Sequence, residues 1–307
     1  MKQKRERLQH LEALNSLHDR VDEIQNLKKE INEALSREEV MWAQRSRALW
    51  MKWGDRNTKF FHATASQRRR RNSITGLLDS HGTWQEDPGA MEGIILDYFE
   101  SIFRSDNPSS FEACVCTITP KVTPDMNTAL CAEFCDTEVW NAFHQMHPTK
   151  APGPDGMSPI FYQKYWDLVG ANVIDCVLEI LNTGVMPCGV NETYICLIPK
   201  TKAPSKISEH RSINLCNVIY KIVFKVHANR LKRILIEVID ESQSAFVPGR
   251  LITDNVLVAF ETMHCIDGRK KGKGALMALK LDMNKAYDRM EWQFLEMIMR
   301  KLGFHER

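Results

Sequence analysis

Residues 275–282, with the sequence ALMALKLD, form a nearly continuous apolar run that follows Gly274. Strands covered on both faces have such runs, whereas half-exposed strands alternate apolar and polar residues. The run therefore predicts a strand buried on both faces. Asp282 ends this strand, where an ionised carboxylate is costly unless it is exposed or holds a cation such as Mg²⁺. The alternative role for Asp282 is the N-cap of a following helix.

Most other segments have helical patterns. Residues 5–40 read as one long helix because apolar residues recur at spacings of three and four. Such a helix packs on its own protein, links domains or forms a short coiled coil. Further helices are predicted at 91–103, 136–147, 166–182, from 218 and from about 291, with a loop at 105–112. The helix from 218 has Val218, Ile222 and Val226 on one face, and Gly303 is the expected C-cap of the helix from about 291. Strands are predicted at 193–200 and on either side of a turn at 80–82.

Charge is distributed unevenly along the chain. Residues 1–71 hold 17 Lys and Arg against 10 Asp and Glu, whereas the remainder holds 24 against 29. The excess of positive charge in residues 1–71 predicts either a polyanion partner or a solvated helical face. Nine scattered cysteines, an odd number, favour reduced thiols and an intracellular protein, nuclear or cytoplasmic. No run of eighteen apolar residues occurs, so no transmembrane helix is expected.

Aromatic and basic residues alternate in the segment 42–71. Trp42, Phe60 and Phe61 are among its aromatics, and the segment ends in the run Arg68, Arg69, Arg70 and Arg71. Aromatics stack on bases and cations neutralise phosphates, so the mixture suits a nucleic-acid surface. An amphipathic helix with an aromatic face toward the core and a basic face toward solvent explains the pattern equally well. The arginine run also resembles a weak nuclear-localisation patch.

Three other blocks have distinctive compositions. KAPGPDGMSP at 150–159 contains two Gly and three Pro and predicts a rigid loop before a helix. Lys200 and Arg211 stand at the two ends of a loop between extended segments, where they would clamp a triphosphate or remain surface charges. In QSAFVPGR, residues 243–250, the Pro248–Gly249 turn allows close backbone approach to a ligand or forms an ordinary loop.

Together these blocks resemble the reverse transcriptases of non-LTR (LINE-type) retrotransposons, in particular copies abundant in plant genomes. The family has a KAPGPDG-like block, a strand ending in IPK, an RPISLCNVIYK-like helix start, a QSAF-PGR-like block and an LD-x-x-KAYDR-x-EW-like block in this order. The upstream segment W-x-x-GDRNTKFFH-x-x-AS-x-RRR-x-N also matches. The resemblance covers residues 35–307.

The resemblance implies an α+β fold: the fingers and first part of the palm of a right-hand polymerase, preceded by a long helical basic segment. Its expected parts are a linker segment at 1–72, a small connecting region at 73–140, and fingers with partial palm at 141–307. The implied partners are template RNA, a DNA primer and deoxynucleoside triphosphates. The implied cofactor is Mg²⁺.

The same resemblance implies roles for individual residues. Asp282 would be a catalytic carboxylate and, with the carbonyl of Met283, a metal ligand, whereas Asp288 would be structural. Tyr287 would exclude a 2′-hydroxyl. Nucleotide binding would also involve Lys200, Arg211, Gln243 and Gly249, and template RNA would lie along Lys150 and along Arg68, Arg69, Arg70 and Arg71.

The sequence departs from the family at several places. Ser212 stands where the family has Pro, and Asn214 and Asn284 where it commonly has Ser. No F/Y-x-D-D box, which supplies the other two metal carboxylates in the family, occurs in these 307 residues. We therefore expect a polymerase fragment that is inactive alone and whose 275–282 strand lacks its sheet neighbours. The alternatives are a non-catalytic nucleic-acid-binding fragment and a helical interaction protein.

Overall fold

The computed structural model describes residues 2–14, 21–46, 58–268, 276–283 and 285–306. The chain divides into two compact units, the first comprising Met1–Glu86 and Leu197–Ser212, the second Asp87–Cys196 and Ile213–Arg307. Both helices and strands are present, as predicted for a mixed fold, and the three functional segments of the chain stay a prediction. None of the described helices is long and apolar enough to cross a membrane.

The elements are, in chain order, α1 (Lys2–Leu14), α2 (Val21–Ser46), α3 (Thr58–Asn72), β1 (Leu77–Leu78), β2 (Trp84–Gln85), α4 (Pro88–Phe103), α5 (Phe111–Val115), α6 (Pro124–Cys131), α7 (Asp136–His144), α8 (Pro159–Lys164), α9 (Trp166–Thr183), β3 (Thr193–Pro199), β4 (His210–Cys216), α10 (Val218–Leu231), α11 (Leu235–Val238), α12 (Ile252–Gly268) and α13 (Trp292–Leu302). In the described residues β1 pairs with β2 and β3 pairs with β4. A 3₁₀ turn, Ile207–Glu209, precedes β4.

Helices α1 and α2 pack side by side. Leu11, Ile24, Leu27 and Ile31 are buried between them, and ion pairs join Lys4 to Glu30 at 2.9 Å and Arg7 to Glu23 at 2.8 Å. The prediction of one long helix over residues 5–40 is therefore wrong. The spacing of the apolar residues does indicate helix, but the segment forms two helices, and the apolar stripe of one packs against that of the other.

Helix α3 packs on α2 through aromatic residues. The ring of Trp42 lies 3.6 Å from that of His62, centroid to centroid, and Phe61 is buried. The Arg68 guanidinium donates a hydrogen bond to the Ser46 carbonyl at 3.2 Å. Next in the chain, β1 and β2 form the predicted antiparallel pair, with Leu77 opposite Gln85.

Three helices, α7, α9 and α10, form the main core of the second unit. The predicted apolar face of α10, Val218, Ile222 and Val226, is buried against residues of the other two helices. At one end of this core the Phe143 ring stacks on Trp166 with a centroid distance of 4.2 Å. The core fixes the first turn of α10 relative to the loop that runs from α7 to α8, where the KAPGPDG block lies.

Arg230, near the end of α10, is a buried cation that binds the chain between α6 and α7. It makes two hydrogen bonds to the Glu138 carboxylate, at 2.8 and 2.6 Å. Its remaining N–H groups donate to the carbonyls of Leu130, Ala132 and Glu133, and its guanidinium lies 3.5 Å from the Phe134 ring centroid. All five donors of the guanidinium are thus used.

A smaller apolar cluster holds the end of α13. Val122, Ile234 and Val238 are buried there, with Leu302 and Phe304 packed against them. Gly303 ends α13 with φ of 94°, as predicted for a C-cap glycine. Asn127 donates to the Gly303 carbonyl at 2.7 Å, which fastens this end of the helix.

The predicted buried strand at 275–282 is not formed in the described residues. Residues 276–283 have no regular secondary structure and no sheet partners among the described residues, and all are exposed, Met277 at 83% and Leu281 at 78%. The prediction was wrong because an apolar run is buried only where other elements cover it. Neither described sheet includes these residues. Helix α12, which precedes this run, likewise has no buried residue.

Candidate functional site

The KAPGPDG loop is fastened to the start of α10. The Asp155 backbone N–H donates to the Asn217 side-chain oxygen at 3.2 Å, and the Lys221 ammonium donates to the Ala151 carbonyl at 3.1 Å. Gly153 lies so close to Asn217 that an added Cβ would stand 2.3 Å from the Asn217 side-chain oxygen. The predicted rigid loop is therefore confirmed, and its rigidity comes from α10 as well as from Pro and Gly.

Asn217 is the central residue of this attachment. It is 6% exposed, and its side-chain amide also donates to the carbonyls of Gly189 at 2.9 Å and Val190 at 3.3 Å. Although Asn217 is the N-cap residue of α10, its side chain makes no capping hydrogen bond to that helix. The sequence analysis did not single out Asn217, because no local signal shows a contact 62 residues away.

Charged groups converge at the same place. Burial lowers the pKa of Lys221, and neighbouring Lys150 acts in the same direction, whereas Cys216 and Asp155 act in the opposite direction. The Lys150 side chain is exposed. Two lysines therefore lie within electrostatic reach of each other, which is a suitable arrangement for an anion.

Tyr287 lies near this cluster. Burial raises the pKa of Tyr220, and Cys216 and Tyr287 raise it further through electrostatic interaction. Tyr287 itself is 93% exposed. In the second unit the KAPGPDG loop is thus fastened to the first turn of α10, and Tyr287 of the LDMNKAYDR segment lies within electrostatic reach of Tyr220 in the same turn.

Asp282 and Met283 are exposed and lie at the end of the irregular 276–283 segment. Asp282 makes no hydrogen bond or ion pair with the described residues. Residues 285–289 form a turn, and the next helix begins at Trp292 with Glu291 as its N-cap, so the N-cap role of Asp282 is wrong. Asp288 lies 3.6 Å from Lys285 in an ion pair, consistent with a structural role.

The metal-binding potential of Asp282 and Met283 follows from donor chemistry. Mg²⁺ is often held by one or two carboxylates together with water and substrate phosphates. One exposed carboxylate and an adjacent backbone carbonyl fit part of such a set. In the described part of the chain, no group of three or more His, Cys, Asp or Glu side chains comes together to hold a metal ion. Asp282 would therefore need further oxygen ligands.

Cys114, Cys116, Cys131 and Cys135 are free thiols, and they form no metal-binding group among the described residues.

The QSAFVPGR block is folded around Arg250. Its guanidinium donates to the carbonyls of Ile236, Ile239, Asp240 and Gln243, which lie in and after α11. Gly249 has φ of 78°, a conformation that suits glycine. Gln243 is exposed, and its side chain donates to the Ala245 carbonyl at 3.3 Å. Arg250 is a structural residue that the sequence analysis missed.

Lys200 and Arg211 belong to the first unit. Lys200 follows β3, and its ammonium donates to the Ser208 carbonyl at 2.7 Å. Arg211 is the second residue of β4 and is exposed. The predicted placement of both cations at the ends of a loop between extended segments is confirmed, since the 200–209 connection joins paired strands.

The arginine run lies at the end of α3. Arg69, Arg70 and Arg71 occupy its last turn, and all four arginines from Arg68 to Arg71 are exposed. Phe61 of α3 is buried while its arginines are exposed, so this helix has the aromatic core face and the basic solvent-exposed face of the amphipathic alternative. Trp50 and Trp53 lie outside the described residues.

Comparison with known proteins shows what the chain is similar to. Residues 198–307 match the family model of reverse transcriptase (RNA-dependent DNA polymerase). Over 243 residues, 78% of this chain, the sequence is 33% identical to the "Transposon TX1 uncharacterized 149 kDa protein" of Xenopus laevis. The chain spans 18% of that relative's length. The chain therefore carries reverse transcriptase sequence and is related to a transposon protein, as the ordered blocks predict.

Proposed function

We propose that this chain contributes the fingers and the first metal-binding carboxylate of an RNA-directed DNA polymerase from a non-LTR retrotransposon. The observation that carries the proposal is the attachment of the KAPGPDG loop, which bears Lys150, to the start of α10 through Asn217 and Lys221. In the sequence the loop and the start of α10 are two blocks of the family, in family order. The range that matches the family model also contains Lys200, Arg211, Gln243, Gly249 and Asp282.

Each residue has a role in this proposal that its chemistry supports. Lys150 binds a template phosphate, and Lys200 and Arg211 bind the triphosphate of the incoming deoxynucleotide. The backbone around Gln243 and Gly249 lies against that nucleotide, and Tyr287 excludes a 2′-hydroxyl. Asp282 and the Met283 carbonyl hold Mg²⁺, which when bound stabilises developing charge on the transferred phosphate.

Primer extension tests the proposal directly. The protein is a polypeptide that joins this chain to an aromatic-x-Asp-Asp region of the family, with an RNA template, a DNA primer, Mg²⁺ and deoxynucleotides. Asp282→Asn should abolish synthesis, because it removes a ligand charge while keeping the side-chain volume. The matched control is Asp288→Asn in the same block, where an ion pair with Lys285 is lost and synthesis should remain.

Two results would contradict the assignment. Synthesis that survives Asp282→Asn would exclude Asp282 as a metal ligand. Asp282-dependent synthesis by the 307-residue chain alone would contradict the requirement for the aromatic-x-Asp-Asp carboxylates, since these residues contain no such box.

A second candidate function, RNA binding without catalysis, is favoured by the exposed arginines of α3. For single strands the logarithm of affinity falls with the logarithm of salt with a slope of about −0.7 per phosphate contact, so a slope of about −3 to −5 is plausible here. Replacing Arg69, Arg70 and Arg71 with Gln should flatten this slope by about 2. An unchanged slope would place the RNA surface outside α3.

A further inference from the structure

We propose that Asn217 and Lys221 are positioning residues that hold the loop bearing Lys150 in the shape that binds nucleic-acid phosphate. We refer to these two residues as the loop clamp. The inference rests on the proposed function, because it assigns a purpose to a contact with the residue proposed to bind template.

The loop clamp forms hydrogen bonds with the loop at two points. Asn217 and Lys221 are four residues apart, which places them on one face of the first turn of α10. Lys221 holds the Ala151 carbonyl, directly after Lys150, and Asn217 holds the Asp155 N–H. The two hydrogen bonds therefore fix both ends of the segment 151–155.

The side chains of both residues form their hydrogen bonds outside α10: Lys221 bonds to the loop, and Asn217 bonds to the loop and to the carbonyls of Gly189 and Val190. An N-cap asparagine ordinarily accepts a hydrogen bond from the first turn of its helix, but Asn217 makes none and accepts from Asp155 instead. Lys221 is partly buried near Lys150, an arrangement of like charges that an anion beside Lys150 would relieve.

A double-mutant cycle on the 307-residue chain tests the inference with a single-stranded oligouridylate as the probe. Lys150→Met and Lys221→Met should each weaken binding by about threefold to tenfold and flatten the salt slope by about 0.7. The double variant should bind no more weakly than the weaker single variant, because Lys221 acts through Lys150. Coupling of this kind distinguishes positioning from independent contributions.

Lys225→Met is the matched control. Lys225 lies one turn further along α10, and its side chain makes no hydrogen bond to the described residues, so its loss removes one positive charge without releasing the loop. Binding should change less than with Lys221→Met. Equal effects of Lys221→Met and Lys225→Met, or losses that multiply in the double variant, would overturn the positioning role.

Hydrogen exchange at the Asp155 amide gives an independent measurement on the loop. Exchange should be faster in Lys221→Met and in Asn217→Ala than in the unmodified chain, and unchanged exchange in Lys221→Met would overturn the loop clamp. If the unmodified chain fails to bind the RNA, the proposed function fails and the positioning role fails with it. If RNA binds but the cycle is additive, the positioning role alone fails.

Discussion

The most informative stability prediction concerns Arg230→Met, which keeps the length of the side chain and removes its charge. The change leaves the Glu138 carboxylate without its two hydrogen bonds and removes a donor from three backbone carbonyls. The Arg230 side chain is 6% exposed and that of Glu138 is 19% exposed, so water replaces these bonds poorly. Removing one partner of a buried pair costs about 3–5 kcal/mol.

Urea unfolding measures this cost. Domains are commonly stable by about 5–15 kcal/mol, so the loss is a large fraction of the total. Trp166 packs against the same core and provides a fluorescence signal. The control is Arg233→Met, an exposed position whose side chain makes no hydrogen bond to the described residues, with an expected change within about 0.5 kcal/mol. A cost below about 1 kcal/mol for Arg230→Met would refute the reasoning.

The pH dependence gives a second test of the same pair. Hydrogen bonding from Arg230 holds the pKa of Glu138 below its ordinary value of 4.5. Because the folded pKa is depressed, the pair stabilises the fold above the ordinary pKa, and this contribution is lost as pH falls through the folded pKa. The stability difference between the unmodified chain and Arg230→Met should therefore be constant near neutral pH and shrink as pH falls below 4.5 toward the lowered pKa of Glu138 in the folded chain. A difference that does not shrink would contradict the pairing.

Two further changes address the candidate site in the chain by itself. Asp282→Ala should leave the urea midpoint unchanged, because Asp282 is exposed and caps no described helix, whereas a capping residue would cost about 1 kcal/mol; a loss of that size would contradict this conclusion. Gly153→Ala should lower the urea midpoint, since the added Cβ would stand 2.3 Å from the Asn217 side-chain oxygen. Gly156→Ala is the control, because no atom lies near its added Cβ and the change measures only the strain of a positive φ. Equal effects of the two changes would contradict the close contact at Gly153.

Local patterns predicted the elements that later proved correct. The spacing of Val218, Ile222 and Val226 correctly predicted the buried face of α10, and Gly303 correctly predicted the end of α13. Both features depend on residues within a few positions of one another in the sequence. The fold-back of α1 on α2 was missed, since the same apolar spacing suits any partner helix. The exposure of residues 276–283 was also missed, because burial depends on what covers a strand.

The candidate site was predicted in part for the same reason. Family order indicated Lys150, Asp282 and Tyr287, and composition indicated a rigid KAPGPDG loop. The attachments that hold these parts span long stretches of chain: Asn217 reaches Asp155, and Arg230 reaches Glu138 over 92 residues. An asparagine or arginine that satisfies distant backbone groups looks like any other polar residue in a single sequence.

The central claim is that this chain forms part of a nucleotide site for DNA synthesis, and sugar selection at Tyr287 tests it most directly. The measurement is the ratio of dTTP to UTP incorporation on an RNA template, using the polypeptide joined to an aromatic-x-Asp-Asp region. The unmodified protein should strongly prefer dTTP, and Tyr287→Ala should reduce that preference by about tenfold or more, about 1.4 kcal/mol of discrimination. Tyr287→Phe, which keeps the ring, should retain the preference. A ratio that is the same in all three proteins would contradict the assignment.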